Sequence, residues 1–189
     1  MKTKMKTICM LSFIVFMLVS GVNLWATEPN MNEARVIRSY FTDALDGKQA
    51  SVIYTLFAGD AEQHFNDYLH NMGVDAIYQN TVSANKIFVT FHTDIHDITV
   101  KGKVAYAHIT HTGTCINTTV PGFPGGPLTI PTRVGPMLLK GQTLQWQAMA
   151  RFEFNHHKKI QKEWIVRDEL GMMLTAGGTL TFTNIYPNP

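Results

Sequence analysis

Three features of the chain predict an α+β domain in which a curved antiparallel sheet wraps around N-terminal helices and encloses a pocket. Apolar residues recur with helical spacing between Met31 and Phe57. From Lys86 onward they alternate with period two. The two patterns follow one another instead of interleaving. Helices and strands segregated in this way pack as layers, with the helices on one face of an antiparallel sheet.

The first 26 residues are set apart from this domain. Lys2, Lys4 and Lys6 form a basic start, Ile8 to Val19 is an almost unbroken apolar run, and Leu24-Trp25-Ala26 offers a cleavage site. That is the plan of a secretory signal peptide, so a secreted or periplasmic protein with a mature domain over 27–189 is expected. No other stretch approaches the ~18 apolar residues of a membrane span, and no membrane association is expected after cleavage. Without the three leader lysines the net charge of +2 falls to about −1. No basic patch is left to attract nucleic acid. Cys115 alone lies beyond the leader, so no intramolecular disulfide can form, and its thiol is expected to be buried.

The elements follow in order. Val36, Ile37, Tyr40, Phe41, Ala44 and Leu45 form one face of a helix that Asn32 can cap and Gly47 ends. A second helix is predicted over Lys48 to Phe57 and closes at Gly59. Ala61 to Phe65 is a short segment carrying His64, Asn66 to Met72 reads as loop, and Gly73 to Asn85 reads as a third helix. Strands are predicted from Lys86 through Val100 and over Val104 to Thr112, joined by a turn at Lys101-Gly102-Lys103. Asn117 to Gly141 breaks every period with five prolines and five glycines, and its apolar residues suit a rim or lid over the pocket. Leu144 to Phe154, with Trp146, Ala148, Ala150, Phe152 and Phe154 on one face, forms a hairpin with the next strand. The tail 178–189 alternates over Thr179 to Ile185, as an edge strand or a docking segment would.

That next strand, from Lys159 to Asp168, is the most informative stretch. At period two it places Ile160, Trp164, Val166 and Asp168 on one face and Gln161, Glu163, Ile165 and Arg167 on the other. An acid at the end of an apolar face has two readings. Asp168 either caps a helix from Glu169 to Leu174 or points into the pocket.

Glu163-Trp164-Ile165-Val166-Arg167-Asp168, preceded by Lys159-Ile160 and followed by Glu169-Leu170-Gly171-Met172, resembles the signature of SnoaL-like polyketide cyclases, an E-x-W-x-x-x-D strand leading to a short helix. The early His64, the glycine-led helix at Gly73 and the Thr112-Gly113-Thr114 strand end fall in the same order as in that family. The resemblance spans Ala34 to Gly177 and implies the cone-shaped fold of the nuclear-transport-factor-two-like superfamily. Cys115 stands where the family often has histidine, and Asn117 to Gly141 replaces a short rim.

The resemblance implies a cofactor-free acid–base reaction on a small apolar carbonyl compound, with Asp168 as the general acid/base and His64 as its partner. A base beside a carbonyl needs a pKa near the working pH and a donor for the developing oxyanion. Tyr106, His108 and His111 are the further donors, and Trp146, Phe152 and Trp164 the apolar walls. His108 and His111 lie on opposite strand faces, so at most one can reach the pocket. His92-x-Asp94-x-His96 looks metal-like, but with no fourth ligand at a recognisable spacing no metal is expected. A homodimer through the outer sheet face is expected for this fold, and a binding module that kept the pocket without the chemistry is the second reading.

Overall fold

The structure is a computed structural model that describes residues 31–66, 68–130, 132 and 136–178. The leader and the tail strand expected at Thr179 to Ile185 lie outside the described residues. Helix α1 (Met31–Ser39) continues as a π-helical turn over Tyr40–Asp46. Ile37, Tyr40, Phe41 and Ala44 are buried along the predicted stripe. The second helix is shorter than its periodicity suggests: a 3-10 turn (Ala50–Val52) runs into α2 (Ile53–Leu56), and Phe57 already begins strand β1 (Phe57–Phe65). Tyr68 to Met72, read as part of a loop, is strand β2 (Tyr68–Met72), which pairs with β1 and forms a sheet edge. Apolar spacing missed both strands because β1 reads FAGDAEQHF, with few apolar residues to mark an alternation, and β2 (YLHNM) lies at the sheet edge with no buried face.

Helix α3 (Val74–Ile87) leads into β3 (Phe88–Lys101), β4 (Val104–Cys115), β7 (Thr143–Phe154), β8 (Ile160–Arg167) and α4 (Glu169–Thr175). The rim segment contributes a small separate hairpin, β5 (Thr129–Ile130) with β6 (Met137–Leu138). The main sheet has the order β2-β1-β8-β7-β4-β3. It is mixed rather than antiparallel throughout, because β1 runs parallel to β8. The helices cover its concave side, where Phe57, Ile109, Phe152 and Ile160 join Ile37 and Phe41 in the core. Each such side chain contributes about 1.5–3 kcal/mol relative to an exposed one.

Irregularities in two strands overturn faces read by simple alternation. In β8 the pairing with β7 passes from Glu153↔Lys162 to Phe154↔Ile160, leaving Gln161 as an extra residue. A bulge of one residue moves every later side chain to the opposite face. Ile160 therefore points inward as predicted, but beyond the bulge Glu163 and Ile165 are buried and Val166 is exposed. In β3 the register shifts after Phe88 and again after Ile95. Phe88 is consequently buried while its neighbour Val89 is 58% exposed.

Gly113 on β4 is a position where the backbone must stay bare. An added Cβ would lie 2.6 Å from Phe88 Cδ1 and 3.0 Å from Phe91 Cδ2. The two rings lie across β4 at this point, with centroids 5.0 Å apart, and turn toward Trp146 on β7.

Candidate functional site

A cavity of about 280 Å³ lies between the concave sheet face, α3 and the rim hairpin. Phe88, Phe91, Trp146, Ile165 and Met172 supply apolar wall, while Ile130 of the rim closes part of one side. Tyr40, His70, His111 and Arg167 are the titratable or charged side chains on the lining. An apolar chamber with a few convergent polar groups is the usual form of a small-molecule site.

His111 is held by a chain of hydrogen bonds that fixes its tautomer. The Asp46 carboxylate, from the end of the π-helical turn, accepts from Thr93 N at 2.9 Å and from Thr93 Oγ1 at 2.8 Å. The single Thr93 hydroxyl proton is thereby committed, so Thr93 Oγ1 accepts from His111 Nδ1, 3.0 Å away. The proton then sits on Nδ1, and Nε2 carries the lone pair. Nε2 has no hydrogen-bond partner among the described residues. The ring packs against Phe91 and Trp146, with centroids 5.1 and 5.2 Å away. Burial, and after it the positive charge of Arg167, push His111 down to about 3, so the imidazole is neutral at physiological pH.

Arg167 enters the cavity from the end of β8. Its Nε donates to Glu169 Oε1 at 3.0 Å, and its guanidinium lies over the Phe65 ring, 5.7 Å from the centroid. Asn66 anchors this corner. It holds φ at 48°, a left-handed conformation that asparagine tolerates, and its amide donates to Glu169 Oε1 at 2.9 Å. Arg167 N donates to Asn66 Oδ1 at 3.2 Å, which ties the end of β8 to the end of β1.

Of the residues singled out in the sequence, His111 and Trp146 line this cavity. The others lie elsewhere. Asp168 is exposed and caps α4, accepting from Gly171 N at 2.8 Å. A Cβ on Gly171 would collide with the Asp168 carboxylate, so the glycine keeps the cap in place. The bulge at Gln161 also turns Trp164 outward, where it stacks on His64 with centroids 5.2 Å apart and carries Arg151 4.5 Å above its ring. His64 pairs with Glu62 at 3.1 Å on that side. Asp168 and His64 thus belong to a helix cap and an outer-face cluster, and the catalytic pairing expected of them is corrected. Tyr106 is 46% exposed, and His108 packs on His96 outside the cavity with centroids 4.7 Å apart. Phe152 faces inward but lies deeper, wholly buried against Phe41 and Tyr40.

The metal-like triplet is also separated. His92 Nε2 faces Asp94 at 3.2 Å, whereas His96 Nε2 meets Thr110 Oγ1 at 2.7 Å after the register shift. Cys115 is buried, and burial raises its thiol to about 11. Alternation alone placed neither Arg167 nor Glu163 inward, because both lie beyond the bulge. The inward Thr93 is equally silent in sequence, since nothing local marks it as the neighbour of His111.

An open α+β sheet curved over such a cavity defines a protein that binds small molecules or acts on them. The chain belongs to the SnoaL-like polyketide cyclase family, whose model matches residues 35–175. It is similar to TsrD from Streptomyces laurentii, with 12% identity and a TM-score of 0.61, covering 78% of this chain and 96% of that one. A SnoaL-like polyketide cyclase from Agrobacterium tumefaciens gives 13% identity and a TM-score of 0.57, covering 75% of this chain and 95% of that one. An LEH-like epoxide hydrolase from M. tuberculosis gives 12% identity and a TM-score of 0.57, covering 77% of this chain and 90% of that one. At such identities the likeness is one of fold. No curated protein sequence matches the chain.

Proposed function

We propose that the cavity takes a small, mostly apolar carbonyl compound and moves a proton from the carbon beside its carbonyl, as in an aldol closure or an isomerisation. The observation that carries this reading is the His111 tautomer, which leaves the Nε2 lone pair unpartnered on an apolar cavity wall. In this reading Nε2 takes the α-proton, and the electron pair of the broken C–H bond moves into the carbonyl to give an enolate. Arg167 faces the developing oxygen charge, and a cation fixed on a largely apolar wall is worth more there than in bulk water. The imidazolium formed is stabilised through Thr93 by Asp46. A bound enolate offsets the field of Arg167, the lesser of the two causes that hold His111 low. Its own charge beside the ring favours the imidazolium against burial, the larger cause; the pKa of about 3 belongs to the ligand-free cavity. The proton then returns to carbon or to the oxygen of the product.

Proton exchange tests the reading. Small cyclic ketones are incubated with the protein in deuterated water, and the loss of α-proton signals is followed by NMR. The wild type is expected to accelerate exchange over buffer, and His111→Gln to lose about a hundredfold or more of that acceleration. Asp168→Asn is expected to leave it intact. Tight ketone binding with no exchange in the wild type would instead favour the carrier reading.

A second, independent reading concerns the outer face. Met149, 53% exposed, pairs with His108 on one side and with Val166, 55% exposed, on the other. Tyr106 lies two residues along the same face, and the row supports self-association as a homodimer. Light scattering of the wild type against Met149→Lys tests it, with a dimer expected only for the former. Export rests on the leader pattern and is tested by N-terminal sequencing of the mature protein.

A further inference from the structure

Glu163, Gln63 and Tyr40 form a polar knot inside the core that the reaction above does not use. Glu163 is 0%, Gln63 1% and Tyr40 3% exposed. Gln63 and Glu163 are register partners on the parallel strands β1 and β8. Phe65 and Ile165, two residues further along each strand, line the cavity, so the knot lies one pleat beneath it. Tyr40 belongs to both places, since it also lines the cavity.

The donor pattern is determined. Asn71 Nδ2 donates to Gln63 Oε1 at 2.5 Å, which turns the Gln63 amide nitrogen toward the other two groups. Gln63 Nε2 donates to Glu163 Oε2 at 2.6 Å and to the Tyr40 hydroxyl oxygen at 3.1 Å. Within the knot the Tyr40 proton has one acceptor, Glu163 Oε2, at a long 3.4 Å. Glu163 Oε1 has no partner among the described residues. Phe152 faces the carboxyl from β7, Gln63 from β1 and Tyr40 from the helical layer, so Tyr40 is the titratable group that meets it. A carboxyl buried without a cation is costly, and cores retain such groups where they serve a site.

We propose that Tyr40 is a hydrogen-bond donor to the ligand's carbonyl oxygen, and that Glu163 is a positioning residue whose proton decides whether the Tyr40 hydroxyl serves the cavity or the core. When Glu163 is ionised, its full charge draws the Tyr40 O–H inward as a charge-assisted bond. When it is protonated, its own O–H can be given to the Tyr40 oxygen, and the Tyr40 proton turns to the ligand. Burial pushes the Glu163 carboxyl up to about 7, so the exchange falls at neutral pH. A carbonyl ligand then binds more tightly with a proton than without. The inference rests on the cavity being a carbonyl site but not on His111 acting as base.

Three measurements test it. In the ligand-free protein, infrared difference spectra of wild type against Glu163→Gln should show a protonated carboxylic acid at about pH 5.5 that disappears as the pH passes about 7. The NMR signal of the Tyr40 ring carbon bearing oxygen should move with the same midpoint and stay flat in Glu163→Gln. With 1-tetralone as probe, calorimetry at about pH 8 in buffers of different ionisation heat should show proton uptake on binding. Glu163→Gln should abolish the uptake, and Tyr40→Phe should weaken binding about fivefold at acidic pH. Absence of the acid band, a Tyr40 signal that ignores Glu163, uptake that survives in Glu163→Gln, or no tetralone binding at either pH would each overturn the proposal. Binding with proton uptake but no α-proton exchange leaves it standing and removes the acid–base reading.

Discussion

Two acids, one in the middle of β8 and one just past its end, lie five residues apart and live in opposite surroundings. Glu163 is wholly buried between β1 and β7, with its carboxyl pushed up by desolvation to about 7. Asp168 is exposed and spends its side chain on the first turn of α4. The contrast shows that the wall a side chain joins is set by the pleat. One extra residue in a strand reassigns everything after it. The inner wall carries His111, Arg167 and, beneath them, Glu163. The outer wall carries His64, Trp164 and Arg151, whose contacts stay within reach of water.

The pH dependence of stability breaks this comparison most strongly. His111 is depressed in the folded state, so the unfolded chain binds a proton that the folded one refuses as the pH drops below about 6.5. Stability is therefore expected to fall with decreasing pH toward about 3, by an amount on the order of 4 kcal/mol. Glu163 acts with the opposite sign. Its folded carboxyl keeps a proton that the unfolded chain releases, so stability falls as the pH rises from about 4.5 to about 7, by an amount on the order of 3 kcal/mol. Where both act, between about 4.5 and 6.5, the slopes cancel and a plateau results. Urea denaturation across pH should show the acid limb vanish in His111→Gln and the fall toward pH 7 vanish in Glu163→Gln.

A smaller effect is expected at the helix start. Asp168→Ala removes one cap and should cost about 1 kcal/mol in urea denaturation, with ketone affinity unchanged. A matching loss in Gly171→Ala would trace the effect to the cap, since its Cβ collides with the same carboxylate. The smallest effect belongs to the outer face. His64→Ala should move Tm by no more than about 2 °C and leave α-proton exchange untouched, because a half-buried pair still in contact with water contributes little.

Much of the fold was legible because burial imposes a period. The α1 stripe through Ile37 and Phe41 and the alternating face of β7 from Trp146 to Phe154 followed from it, while the short helix after Asp168 followed from capping chemistry as one of two readings of that acid. Strands without that signal were hidden, as in β1 with Glu62, Gln63 and His64, and in β2 at a sheet edge. The site was legible only in part. Trp146 lies on a regular stretch of β7, so alternation places it; on β4 alternation put His108 and His111 on opposite faces, and the structure shows that His111 is the inward one. Glu163 and Arg167 lie past a bulge that no local residue pattern announces. Thr93 gains its role from register with His111, a pairing made across the β3–β4 turn.

The measurement closest to the centre of this account is the nitrogen NMR spectrum of the histidine side chains at about pH 5, below the ordinary histidine value of ~6.5. His111 is expected to remain neutral there, with the proton on Nδ1 and a bare Nε2 whose shift changes when a ketone enters the cavity. A protonated His111 at that pH, or a neutral ring carrying its proton on Nε2, would contradict the chain from Asp46 through Thr93 and with it the proposed base.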